Sequence, residues 1–263
     1  MANWTTWCVG MVLPLLALLN HNSVDEQKDD SAKVVGTRDG NRWIVPLEAN
    51  GKTKIPRAFA SLRSAYFQGY PERKIQVKPE IEHWTLGFNN KAAGNKIVLE
   101  FDSYPATKDE IKPIEQLGDG TLTLPCSMGV TKGKKLRFEP QPHKNTIGYW
   151  ADSKDSVSWT FAISKTGEFN VGLLQGCGKN CGGTAKISLL ASGKSIDAID
   201  YEVKVTGHFQ NFVWQHAGSL KVAEPGEYTL KVEPVKINGA ALMDVRQIHM
   251  SPVPAARKKK AKQ

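Results

Sequence analysis

The stretch Ser156-Val157-Ser158-Trp159-Thr160-Phe161-Ala162-Ile163 constrains this chain more than any other. Val157, Trp159, Phe161 and Ile163 recur at every second position, with small or polar residues between them. A period of two marks a strand with one buried face, because successive side chains of a pleated strand point to opposite sides. Thr146-Ile147-Gly148-Tyr149-Trp150-Ala151-Asp152 precedes it, and Gly167-Glu168-Phe169-Asn170-Val171 follows through a glycine turn. Gly176-Cys177-Gly178 and Gly182-Gly183-Thr184 then punctuate the chain. Strand, glycine turn, strand is the grammar of an antiparallel β-sandwich, which points to binding rather than reaction.

The same grammar runs through two blocks. In residues 33–105 it predicts strands at 42–48, 62–67, 74–78, 82–88 and 96–102. Turns such as Asp39-Gly40-Asn41, Asn50-Gly51 and Asn89-Asn90 separate them. In residues 118–252 it predicts strands at 121–126, 135–139, 147–150, 156–163, 168–175, 185–190, 201–206, 212–216, 227–233 and 243–250, enough to fill two packed sheets. The charged, proline-punctuated segment 104–113 between the blocks reads as a linker. Strand and helix patterns do not alternate, which excludes a parallel barrel or a doubly wound sheet. The expected fold is all-β, with two antiparallel β-domains.

Length and charge fit this reading. The 263 residues suffice for one large or two modest domains. The net charge of +9 is uneven, since Arg257, Lys258, Lys259, Lys260 and Lys262 carry five of the positive charges. Residues 253–263 read as a basic, solvated, disordered end. Weak attraction to nucleic acid, anionic lipid or acidic glycan is the functional alternative, and no motif for specific nucleic-acid recognition accompanies the run. At the other end, Cys8 to Leu19 is an apolar run too short to cross a bilayer, followed by acidic residues from Asp25 to Asp30. Residues 1–24 therefore read as a signal peptide, which implies a secreted or periplasmic protein with no transmembrane segment. No Lys or Arg precedes the run, so a start that is not native to the following domain stays open as the alternative.

Cys177 and Cys181 are spaced to close a small disulfide loop in an oxidising compartment. The scattered histidines argue against zinc at this pair, and Cys126 reads as a small buried residue. No Gly-x-Ser-x-Gly elbow, phosphate-cradling loop or His-Glu-x-x-His helix occurs. The acids are single and sit at turns, so no catalytic residue can be nominated. Sugar binding needs an aromatic face for the apolar side of a pyranose and planar polar groups for its hydroxyls. Tyr149, Trp150 and Phe209 are the candidate aromatics, and His208, Gln210 and Asn211 the candidate polar partners. Tyr149 and Trp150 are adjacent and must face opposite sides of a strand, so at least one points inward. Trp159 belongs to the core by its alternation. Trp214 shares a face with Phe212 and is assigned to the core as well.

Residues 118–252 resemble the carbohydrate-binding jelly-roll modules of secreted bacterial glycoside hydrolases. Ile147-Gly148-Tyr149-Trp150, Asp155 to Trp159, Gly167 to Val171, Thr206 to Phe212, Pro225-Gly226-Glu227-Tyr228 and Met243 to Ile248 carry the resemblance. Residues 33–105 resemble the small β-domain that follows the barrel in family 29 α-L-fucosidases. The matching pieces are Thr37 to Val45, Ile55-Pro56, Leu62 to Tyr66 and Ile97 to Asp102. The larger domain is then expected to be a jelly-roll β-sandwich, with a polysaccharide or glycan ligand and a glycoside hydrolase catalytic domain as partner. The family's nucleophile lies in a barrel this sequence does not show, so no catalytic residue carries over. Alternatives are a truncated or split α-L-fucosidase, or a structural sandwich that binds protein. Such modules often hold a structural calcium near their first and last strands. Asp244 matches in the last strand, whereas Pro125-Cys126-Ser127 stands where an acid is expected, so no cofactor or metal ligand is assigned.

Overall fold

A computed structural model describes residues 34–88 and 94–254. The expected signal peptide, most of the basic tail and the Asn89-Asn90 turn lie outside the described residues. The described chain is built from antiparallel β-sheets, with one short 3-10 turn at Cys126–Met128 and no α-helix. None of its helices is long and apolar enough to cross a membrane.

The first eight strands are β1 (Thr37–Asp39), β2 (Arg42–Pro46), β3 (Lys52–Pro56), β4 (Leu62–Phe67), β5 (Tyr70–Lys74), β6 (Gln76–Pro79), β7 (His83–Gly87) and β8 (Lys96–Phe101). They make a five-stranded sheet in the order β1-β2-β8-β4-β5 and a three-stranded sheet in the order β3-β7-β6. Trp43, Val45, Leu99 and Phe101 of the first sheet and Ile55, Trp84 and Leu86 of the second are buried. The Trp84 and Phe101 rings stack across the gap with centroids 6.2 Å apart. The single strand expected at 74–78 is two strands in different sheets. The chain turns the corner at buried Ile75, whose N–H donates to the Ala65 carbonyl.

The remaining strands are β9 (Ile114–Glu115), β10 (Leu122–Pro125), β11 (Val130–Lys132), β12 (Arg137–Glu139), β13 (Thr146–Gly148), β14 (Ser156–Ile163), β15 (Gly167–Gly176), β16 (Gly183–Ala191), β17 (Lys194–Glu202), β18 (Val213–Val222), β19 (Gly226–Ile237) and β20 (Asp244–Pro252). One six-stranded sheet runs β12-β13-β20-β15-β18, with β10 also on β20. The other runs β11-β14-β19-β16-β17, with β9 also on β14. The short β9 is parallel to β14. In β14 the alternating residues Val157, Trp159, Phe161 and Ile163 are all buried, as their period requires. The Trp159 indole N–H donates to the Pro125 carbonyl at 2.8 Å, which satisfies its one polar atom.

Strand β17 corrects the expectation of a strand at 201–206. It is an edge strand and most of its side chains are exposed, so it carries no apolar alternation for a sequence reading to find.

The two sandwiches share one continuous core. Trp84 of β7 lies 6.2 Å from Phe138 of β12, ring centre to ring centre. Buried Arg57 donates to the Ser127 carbonyl at 3.1 Å and to the Thr131 hydroxyl at 3.3 Å. Its guanidinium lies over the rings of Phe59 (4.4 Å) and Phe138 (5.1 Å). Burial lowers its pKa to about 9, which still leaves it cationic at neutral pH. The segment read as a linker is fixed in place. Glu110 takes a two-pronged hydrogen bond from Arg38, whose second prong measures 2.7 Å, and accepts from the Thr107 N–H at 2.8 Å. The Arg38 bond, then that from Thr107, holds the Glu110 carboxyl down at about 2.

Candidate functional site

The outer face of the sheet containing β15, β18 and β20 presents an aromatic platform. Leu220 and Val222 of β18 point into the core. Continued without a break, that alternation would bury Trp214 too. The register with β15 instead steps from Val171–Gly218 to Gly172–His216, so Ala217 is a bulge. One extra residue reverses which face every following side chain occupies. Trp214 therefore stands outside and is 50% exposed, which corrects its assignment to the core. Phe212, expected on the same buried face, is only half-buried, with the Arg246 guanidinium 3.8 Å from its ring centre.

The Trp214 ring lies beside Gly172, where even a Cβ would be in contact at 3.6 Å, so the missing side chain makes room for it. The His249 imidazole meets Trp214 edge-on, with centroids 6.4 Å apart and planes at 76°. A 3.1 Å hydrogen bond between His249 Nδ1 and the Thr123 hydroxyl orients that ring. Asn170, Gln215, His216 and Ser251 complete a shallow depression of about 250 Å³. An exposed indole ringed by amide, imidazole and hydroxyl groups has the chemistry that a pyranose needs.

The residues expected to form a site do not come together. Tyr149 is 47% exposed and holds φ at +63°, a left-handed conformation that a bulky residue rarely adopts. This kink at the end of β13 turns Tyr149 outward, with the Arg137 guanidinium 3.4 Å from its ring centre. Trp150 turns inward. It is fully buried, its indole N–H donates to the Asp155 carbonyl at 3.1 Å, and it has no surface to offer a ligand. The nomination of Trp150 is thereby corrected.

His208, Phe209 and Asn211 lie on a loop pressed against the strand end at Gly176. A Cβ on Gly176 would fall 2.0 Å from the Phe209 carbonyl oxygen, so only glycine allows that approach. The Phe209 ring covers Gly178. His208 Nδ1 accepts from the Gln210 N–H at 3.0 Å, and Asn211 Nδ2 donates to the Thr206 carbonyl at 2.6 Å. These polar groups hold the loop to itself, and none of them lines the space beside Tyr149.

That space is a cleft of about 840 Å³ where the two sandwiches meet. Glu139 lies at its wall. A Cβ on Gly148 would sit 2.9 Å from Asp244 Oδ1 and 3.2 Å from Glu139 Oε2, so the two buried acids converge there. Lys144 Nζ donates to Glu139 Oε1 at 2.6 Å and supplies a compensating charge. Burial, then repulsion from Glu139, pushes the Asp244 carboxyl up to about 8, so it is largely protonated at neutral pH. Asp244 thus has an acidic neighbour, drawn from β12. The described residues contain no group of three or more His, Cys, Asp or Glu side chains arranged to hold a metal ion. Cys126, Cys177 and Cys181 are free thiols, and burial raises Cys177 to about 11.

No protein-family model matches the sequence, and no curated protein matches it either. Among solved structures, the chain is similar to an α-L-fucosidase from Vibrio sp. strain EJY3 at 14% identity and a TM-score of 0.34, covering 81% of this chain and 38% of that one. It is also similar to the C-terminal CBM6 of a laminarinase from Zobellia galactanivorans, at 16% identity and a TM-score of 0.40 over 50% of this chain and 98% of that one. The third is the CBM35 of Cellvibrio japonicus Abf62, at 11% identity and a TM-score of 0.38 over 51% and 94% of the two chains. The chain thus spans well under half the length of the fucosidase.

Proposed function

We propose that this protein is a carbohydrate-binding accessory protein, exported and working beside a glycoside hydrolase, that recognises oligosaccharide on the outer sheet face around Trp214. One observation carries the reading: a bulge at Ala217 that takes a tryptophan out of the core and exposes half of it, beside a glycine and among polar side chains. Exposing an indole forgoes its hydrophobic burial, so a ligand that covers the ring restores that gain. The resemblance of residues 118–252 to carbohydrate-binding modules agrees with it. The shallow, open depression suits the flat face of a chain of sugars better than an enclosed small molecule.

The test is a glycan array with the full chain, followed by titration of the best neutral oligosaccharide. Trp214→Ala is expected to weaken binding by about 30- to 100-fold, the cost of deleting an aromatic hot spot. Its far-ultraviolet circular dichroism should stay unchanged, since an exposed ring is removed. Undiminished binding by a folded Trp214→Ala protein would reject this face as the site.

A further inference from the structure

The cleft between the sandwiches differs chemically from the Trp214 face. Five cationic side chains reach it, Arg63, Lys74, Lys78, Arg137 and Lys144, against two carboxylates, Glu80 and Glu139. Both carboxylates are already engaged, Glu80 with Lys78 at 3.2 Å and Glu139 with Lys144 at 2.6 Å. Arg63, Lys74 and Arg137 make no ion pair among the described residues, so the cleft carries three uncompensated positive charges.

Each of the three is placed by the fold. Arg63 is the extra residue of a bulge in β4, where the register steps from Leu62–Phe101 to Ser64–Glu100, and the bulge aims it away from the ladder. Lys74 closes β5 and donates to the Ser64 hydroxyl at 3.0 Å, with its ammonium 5.4 Å from the Tyr66 ring centre. Arg137 opens β12 and lies over Tyr149. Its one hydrogen bond among the described residues is a long one, 3.4 Å, from Nη1 to the Lys135 carbonyl, and its Nε has no acceptor. A guanidinium 3.4 Å from an aromatic ring centre, with no carboxylate partner among the described residues, keeps terminal Nη donors for a planar or tetrahedral anion. The cleft volume lies in the range of small-ligand sites.

We infer that this cleft is a second saccharide site, selective for acidic sugars whose carboxylate or sulfate ester meets Arg63, Lys74 and Arg137 while a ring packs against Tyr149. The inference rests on the glycan-binding reading and adds a ligand class and a second location to it. Charged donors spread across an open cleft raise the encounter rate and select for negative partners, and salt weakens both effects.

The experiment titrates the full chain with three probes of equal length: an oligogalacturonate, a sulfated carrageenan oligosaccharide and a neutral cello-oligosaccharide. Each is measured at low and high salt. One acidic probe or both should bind at least about tenfold more tightly than the neutral one at low salt, as expected for gaining a charge-assisted contact. Which of them gains tells a carboxylate from a sulfate. Lys74→Gln and Arg137→Gln should each erase most of that gain, and Trp214→Ala should leave it intact. Lys74 is exposed, so its variant keeps the test open if the Arg137 variant misfolds. Three results would overturn the inference. One is acidic binding that survives both cleft substitutions, which would place it on the basic run at 257–262. Another is a single-stranded DNA of matched charge binding as tightly as the acidic sugars. The third is neutral and acidic probes binding alike and both through Trp214, which would leave the glycan-binding reading standing alone. If no sugar binds a folded protein, both readings fall.

Discussion

Replacing Asp155 by alanine is expected to lower stability by about 3 kcal/mol. Asp155 is fully buried. Its carboxylate accepts the backbone N–H groups of Lys134 at 2.7 Å, Lys135 at 3.3 Å and Leu136 at 3.0 Å. It therefore takes the place of a strand partner where the chain turns from β11 into β12. The turn is shaped around it: at Gly133, with φ of +130°, a Cβ would fall 1.9 Å from Asp155 Oδ1. Alanine would leave the Leu136 N–H without an acceptor in the interior, at roughly 1–3 kcal/mol, and would release the two neighbours. For a chain of this size the melting temperature should fall by about 6–12 °C. Asp155→Asn keeps one acceptor oxygen and should lose about half as much. Thermal unfolding followed by circular dichroism reads both, and a drop below about 2 °C for the alanine variant would show that the turn does not depend on the carboxylate.

Asp244→Asn is expected to act in the opposite direction, and only above acidic pH. Folding raises the Asp244 carboxyl from an ordinary value of 3.8 to about 8. Well below pH 3.8 both folded and unfolded chains hold the proton, and the group costs nothing. As pH rises the unfolded chain ionises first, so stability falls progressively until the folded carboxyl ionises near pH 8. At about 1.4 kcal/mol per pKa unit, the ceiling on that loss is about 6 kcal/mol, and a few kcal/mol is the realistic scale. Asparagine is nearly the same size and carries no charge, so its variant escapes the decline. Melting temperatures of the two proteins should converge toward pH 3 and diverge to about 5–10 °C in favour of Asp244→Asn at pH 9. Parallel curves across that range would mean that Asp244 ionises normally and that Lys144 and Arg246 compensate it.

Much of the fold was legible because strand pairing leaves a local mark. Ser156–Ile163 reads as a strand from its period alone. What escaped has no local mark. Lys194–Glu202 pairs along its backbone at a sheet edge and exposes its side chains. The break between β5 and β6 depends on a corner at Ile75 that only the second sheet explains.

The candidate site was harder to read, because it turns on parity. In the sequence, Trp214 looks like the continuation of a buried face, and only the register step from Val171–Gly218 to Gly172–His216 reveals the bulge. The run Trp214-Gln215-His216, polar where a core face should continue, was the available signal. For Tyr149 and Trp150, adjacency required opposite directions, and the positive φ at Tyr149 sends it outward while Trp150 enters the core. The convergence of Glu139 and Asp244 joins residues far apart in sequence, which no spacing rule brings together.

The shared core and the fixed connector have a consequence for how the cleft meets a ligand. Two lobes joined by a free tether would have to close like a jaw, and part of the binding free energy would go to halting that motion. Here Arg57, the Trp84–Phe138 contact and the Arg38–Glu110 clasp already hold the walls in register. The cleft is a gauge of set width. A guest of the kind proposed would meet walls already fixed in place, and one too broad would have to open the hydrophobic interior to enter.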